Sequence, residues 1–187
     1  GCDGAIESET GIKKRDSGKG IKMMKEIFER RSVRKFVARE VEAEKLEAVL
    51  RAGMAAPSAG NQRPWEFYIV RDREKLEALS TLSRYAGPVA AAPLAIVTVC
   101  DPEGKRFAEV AATDMAACTE NLWLGAVSVG LGTVWIGVYP YEERVNLSNQ
   151  ILGIPAGKYV FSILPLGYPA EERTAEDRFD PARIHEL

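Results

Sequence analysis

Three guanidinium groups and a hydroxyl fall within five residues, Arg30-Arg31-Ser32-Val33-Arg34, at the end of a short amphipathic stretch. Arginine presents paired, planar donors that match phosphate oxygens, whereas lysine acts as a point charge, so this composition suits a bidentate phosphate grip. The ordinary alternative for such a run is a solvated helix face. A second segment, Pro57-Ser58-Ala59-Gly60-Asn61-Gln62-Arg63-Pro64-Trp65, is polar and turn-forming. It joins a predicted helix to a predicted strand, where binding residues stand on a rigid scaffold. Other chemistry is missing. The chain has no G-x-G-x-x-G, and Gly18-Lys19-Gly20 lacks the upstream glycine and the hydroxyl residue of a P-loop. The single histidine, His185, stands at the extreme C-terminal end and makes a poor triad base. Carboxylates in the predicted helices lie on polar faces, with no evident acid–base pair. Catalysis by this chain would therefore fall to a cofactor.

The elements that position these residues are read from periodicity. Residues 24–31 predict a short helix with Ile27 and Phe28 on one side, and 33–36 an extended segment. A second helix over 42–55 carries Leu46, Val49, Leu50 and Met54 at helical spacing. Strands follow at 65–70, at 94–100 (nearly all apolar) and at 159–166; helices are predicted at 74–82, 107–129 and 142–152, the last stopped by Gly153. Residues 121–141 carry no charge and are long enough to span a bilayer. Gly130-Leu131-Gly132 instead ends a buried helix, and the β-branched and aromatic run 133–138 reads as a core strand, so no membrane span is expected. Strands and helices mix without strict alternation, which predicts an α+β fold with a mixed sheet flanked by helices. The helix over 107–129 is apolar around most of its circumference, and a second copy of the chain is the natural cover.

Composition sets the bounds. The 187 residues, 46% hydrophobic and 28% charged, suit one globular domain over 23–187. With 25 basic against 27 acidic residues, no global field draws the chain to nucleic acid. Phe28 and Phe36, beside the arginines, read as core positions and not as a platform for stacked bases. Cys2, Cys100 and Cys118 form an odd, widely spaced set that argues against disulfides or a zinc site and suits the cytoplasm. Residues 1–22 lack aromatics and periodicity and are expected to form a flexible tail, with Met23-Met24 a plausible natural start. A lipid anchor at Cys2 is the rival reading of that tail.

Four ordered segments, RRSVRKF, PSAGNQRPW, GLGTVWIG and LPLGYPAEE, resemble the FMN-dependent nitroreductase family, and the resemblance runs from about Met23 to the end. It implies an intertwined homodimer of α+β subunits with FMN at the interface, taking electrons from NADH or NADPH. It further implies that Arg30, Arg31 and Ser32 hold the FMN phosphate and ribityl chain, and that Arg34 lies near the pyrimidine edge. A fixed cation there stabilises the reduced ring. Asn61 takes the place of the family's flavin-bonding asparagine, with Pro57, Ser58 and Ala59 supplied by the partner subunit. Backbone N–H groups around Trp135, Ile136 and Gly137 approach flavin N5, where glycine permits close contact. Arg178 completes the phosphate grip, with Arg173 a weaker candidate. No metal and no side-chain acid or base is implied.

Two departures bear on function. Ile136 stands where many members carry an acidic residue, and residues 101–106 are too few for the helical lid of larger members. The expected activity is transfer of hydride through FMN to a nitroaromatic, quinone or similar planar acceptor, in an open and tolerant cleft. The alternative is a non-catalytic FMN carrier or sensor on the same scaffold.

Overall fold

The computed structural model describes residues 24–172, 174 and 176–187. The expected tail over 1–22, Cys2 and Arg173 lie outside the described residues. Four strands, β1 (Trp65–Val70), β2 (Leu94–Cys100), β3 (Ile136–Gly137) and β4 (Tyr159–Leu166), form one sheet in the order β1-β2-β4-β3. Six helices accompany it: α1 (Lys25–Glu29), α2 (Ala43–Met54), α3 (Arg73–Leu79), α4 (Pro88–Ala91), α5 (Ala111–Ser128) and α6 (Glu142–Leu152). The α+β class is as the sequence implies. All strand ladders are antiparallel, and the mixture of directions is confined to an isolated parallel bridge between Ser32 and Thr133.

Helices on both faces explain why β2 is apolar throughout although its neighbours run antiparallel to it. Ala95, Val97 and Val99 pack toward Leu76, Leu79 and Val89, whereas Leu94 and Ile96 pack toward Val49, Cys118 and Leu122 of α2 and α5. Alternating side chains therefore meet a core on either side. β4 keeps the same arrangement despite a register shift opposite Thr98 and Val99. The extra residue, Phe161, is a bulge whose carbonyl accepts from both Val138 N–H (3.2 Å) and Tyr139 N–H (3.1 Å). Thr98, Ser162 and Thr119 are fully buried yet satisfied: Ser162 Oγ lies 2.8 Å from Thr98 Oγ1 and 3.1 Å from Thr119 Oγ1. Burial pushes the Cys118 thiol up to about 12, which leaves it an inert packing group. No helix of the described residues is long and apolar enough to cross a membrane.

Two expectations need correction. The strand expected over 133–138 pairs only at Ile136–Gly137, because Thr133 instead bridges to Ser32. Phe28 is not a core residue. It is 49% exposed, with Ile27 at 48%, because the five-residue α1 buries no side chain. Phe36 is half-buried against Gly167, where a Cβ would lie 3.1 Å from its ring.

A surface cluster fixes the entry to α2. Tyr168 Oη donates to Glu42 Oε2 (2.6 Å) and accepts from Lys45 Nζ (2.9 Å), while the Arg39 guanidinium lies 4.0 Å from the centre of its ring. The Tyr168 hydrogen bond, together with Glu42's own backbone and Arg39, lowers the Glu42 pKa from 4.5 to about 2. A carboxyl lowered on folding adds stability above its unfolded value and loses it as pH falls through the folded one. Tyr168→Phe should therefore lower the thermal midpoint at pH 7, and the gap to the parent protein should close as pH falls from 4.5 to about 2. A gap constant across that window in a melting series would contradict this.

Candidate functional site

The arginine run is held in place by backbone. Val33 N–H donates to Thr133 O (3.0 Å), and Trp123 Nε1 donates to Arg31 O (3.2 Å). Gly132 makes this contact possible, since a Cβ there would lie 2.7 Å from Val33 Cγ2. Residues 30–34 thus lie directly beside the segment that carries Trp135, Ile136 and Gly137.

Within the run the three arginines face different ways. Arg30 turns onto α5, paired with Glu120 (3.2 Å) and stacked 4.3 Å from the Trp123 ring centre. Burial raises the Glu120 carboxyl, and the Arg30 charge opposes that rise. Arg31 bends toward the C-terminal segment: Nε donates to Thr174 O (2.8 Å), Nη1 donates to Arg30 O, and Nη2 is buried with no partner among the described residues. Such an orphan donor normally finds an acceptor. Arg31 lines a cavity of about 520 Å³ together with Ser32, Arg34, Thr174 and Arg178 and the carboxylate residues Glu172 and Glu176. Arg178 is exposed and pairs with Glu176 at 3.6 Å. Arg30 does not line this cavity.

Arg34 also lines a second cavity, of about 410 Å³, and so joins the two. Trp135, Ile136 and Gly137 form one wall of it, and the connection between α3 and α4 forms another through Ser83, Arg84 and Tyr85. Arg144 closes the rim: its Nη1 donates to Gly137 O (2.9 Å), and its guanidinium lies 4.0 Å from the Tyr141 ring centre. The Ile136 side chain is buried in the core cluster that includes Val134 and Val138. Trp135 packs on Phe161 with ring centres 5.8 Å apart.

The segment bearing Pro57, Ser58, Ala59 and Asn61 contributes to neither cavity of its own chain. It precedes β1, at the sheet edge opposite β3. Three strand spacings, about 14 Å, separate those edges. The segment is nevertheless built with care. Gly60, Asn61 and Arg63 all have positive φ (55°, 55° and 46°), and strain of this kind persists only where the surroundings over-determine it. Asp114 of α5 provides the hold: Oδ1 accepts from Ala59 N–H (2.9 Å) and Oδ2 from Gln62 Nε2 (2.6 Å). Ser58 Oγ accepts from Arg63 N–H (3.0 Å). Gln62 also exchanges two hydrogen bonds of 3.0 Å with the Phe107 backbone, so its amide is fully engaged.

Sequence reasoning missed Asp114, Arg84 and Arg144. Asp114 carries a signal, the one charged residue among the buried positions of a mostly apolar helix. Arg84 and Arg144 carry none beyond their nearness to turn residues.

A model described as the Nitroreductase family matches residues 27–103 and 84–168. A protein of Archaeoglobus fulgidus, provisionally named NADH dehydrogenase/NAD(P)H nitroreductase, is 43% identical over 166 residues, covering 87% of this chain and 95% of its own. The crystal structure of a provisionally assigned NADH oxidase from Clostridium acetobutylicum superposes with a TM-score of 0.82 at 45% identity, covering 86% of this chain and 97% of that one. An FMN-dependent nitroreductase from Clostridium difficile R20291 gives a TM-score of 0.81 at 33% identity, with 88% and 98% covered.

Proposed function

The chain belongs to the nitroreductase family, and from that premise we propose that it is an FMN-dependent oxidoreductase using NADH or NADPH. The observation that carries the reading is the gathering of Arg31, Ser32, Arg34 and Arg178 around one cavity, with Arg31 Nη2 buried and without a partner among the described residues, and with Arg34 also lining a second cavity beside Trp135, Ile136 and Gly137. An anionic group in the first cavity and a flat ring in the second match what FMN requires of a site. When bound, FMN supplies the redox chemistry, taking hydride from a nicotinamide and passing it to a planar acceptor such as a nitroaromatic or quinone.

The chain's own residues bind and orient. Arg31, Ser32 and Arg178 hold the phosphate, and Arg30 braces them from behind through Glu120 and Trp123. Arg34 sets a fixed positive charge between phosphate and ring, where it favours extra electrons on the ring. The Trp135, Ile136 and Gly137 backbone forms the floor under the ring. Pro57, Ser58, Ala59 and Asn61 complete the site from a second copy of the chain. That assignment is supported by the strained loop's position at the far sheet edge and by the exposed Ile27 and Phe28 of α1. The proposed assembly is a homodimer, and the proposed compartment the cytoplasm, on the ground that Cys100 and Cys118 are free thiols.

Titration with FMN should quench flavin fluorescence and yield a yellow protein, and anaerobic NADH or NADPH should then bleach it. Absence of flavin binding would refute the site. A bound flavin that neither donor reduces would favour a carrier over an enzyme.

A further inference from the structure

The second cavity has a one-sided charge. Its wall carries the guanidinium groups of Arg34, Arg84 and Arg144 and no carboxylate, in a chain whose net charge is −2. None of the ion pairs among the described residues involves Arg84 or Arg144. Each instead lies on a tyrosine of its own segment: Arg84 is 4.6 Å from the Tyr85 ring centre and also donates to Tyr85 Oη, while Arg144 is 4.0 Å from that of Tyr141. Stacking of this kind restricts a long side chain without neutralising it, so the planar donors stay poised for a ligand. Arg144 is further anchored on Gly137 O through Nη1, which leaves the rest of its donor fork open. Like charges gathered in a concave, partly enclosed space raise the local concentration of anions.

Arg34 has a role in the flavin reading; the other two cations do not. We propose that Arg84 and Arg144 recognise an oxyanion carried by the co-substrate, either a carboxylate on the planar acceptor or a phosphate of the nicotinamide donor. Arg84 and Arg144 then determine which co-substrates the site prefers. The proposal rests on the reading of the two cavities as the flavin site.

The test uses the FMN-loaded protein and follows both half-reactions by stopped flow. In the acceptor arm, reoxidation of the reduced flavin is compared between 4-nitrobenzoate and its uncharged analogue 4-nitrobenzamide. In the donor arm, anaerobic reduction is compared between NADH and 1-benzyl-1,4-dihydronicotinamide, which has no phosphate. In one arm the charged-to-uncharged ratio of second-order rate constants should fall about 10-fold in Arg84→Gln and in Arg144→Gln. The arm that responds identifies the source of the oxyanion. Since Arg144→Gln also removes the bond to Gly137 O, the same ratio is measured in the unmodified protein between 20 and 500 mM salt, where screening should lower it severalfold. A flavin that turns over normally while both ratios stay within twofold in the variants and across the salt series would overturn the proposal. Failure of both donors to reduce the flavin would instead overturn the underlying reading.

Discussion

Replacing Arg31 with methionine will weaken FMN binding about 100-fold while leaving the thermal midpoint of the flavin-free protein almost unchanged. The asymmetry follows from what the guanidinium does. Nε and Nη1 donate to the Thr174 and Arg30 carbonyls at positions open to water, each worth about 0.5–1.5 kcal/mol net, whereas Nη2 is buried without an acceptor among the described residues and carries an opposing desolvation penalty of about 1–3 kcal/mol. Without ligand these contributions largely cancel. With a phosphate present the orphan donor gains its partner, and loss of that charge-assisted interaction accounts for about 2.7 kcal/mol, the equivalent of 100-fold. Lysine should recover little, because a point charge reproduces neither the bond to Thr174 nor the fork. Fluorescence titration and calorimetry of the three proteins decide the matter. Equal FMN affinities in the parent and in Arg31→Met would remove Arg31 from the site, and a flavin-free midpoint lowered by 8 °C or more would show that the residue serves stability first.

Asp114→Ala should produce the largest stability loss of any site-related change, about 3 kcal/mol, or roughly 6–12 °C in thermal midpoint for a chain of this size. The carboxylate is only 6% exposed and accepts from both Ala59 N–H and Gln62 Nε2. Its removal leaves two donors short of an acceptor and releases a backbone held at positive φ at Gly60, Asn61 and Arg63. Asp114→Asn should recover only part of the loss, since its Oδ1 still accepts from the Ala59 N–H while its Nδ2 turns a donor toward Gln62 Nε2. Because the Ala59 N–H loses its acceptor, its amide hydrogen should exchange faster with solvent in the variants than in the parent at equal temperature. An unchanged midpoint with unchanged exchange would mean that the loop is held by Ser58 and Phe107 alone.

The helices and strands were mostly legible along the chain because their signals are local. β1, β2 and β4 follow runs of apolar and β-branched residues, and the stop of α6 at Gly153 follows from a residue at ease with φ 65°. Where the reading went wrong, a long-range partner intervened. Residues 133–138 carry a strand's composition, yet the bridge between Thr133 and Ser32 takes the first of them out of the sheet. Phe28 looks like a core residue because apolarity is local information, while burial depends on what lies above it, and α1 is too short to be enclosed. The absence of a helical lid, expected from the short 101–106 segment, leaves α5 preceded only by a single 3₁₀ turn, Ala108–Val110.

By itself the amino-acid order determined the chemistry on offer: an arginine-rich grip, a polar turn before a strand, and a glycine-bearing edge, with a single histidine, His185, at the C-terminal end and no metal-ligand spacing to compete. It determined the α+β class too, since periodicity is written residue by residue. Only tertiary structure decided which arginine does what. Arg30, Arg31 and Arg34 are chemically alike and adjacent, but packing against Glu120 and Trp123 claims the first, the Thr174 carbonyl and the first cavity claim the second, and the third is left between two cavities. Folding likewise brought Arg84 and Arg144, 60 positions apart, to one cavity, and sent the Asn61 turn to the opposite sheet edge. Side-chain type sets what a group can bind; the direction it faces depends on contacts made across the whole chain.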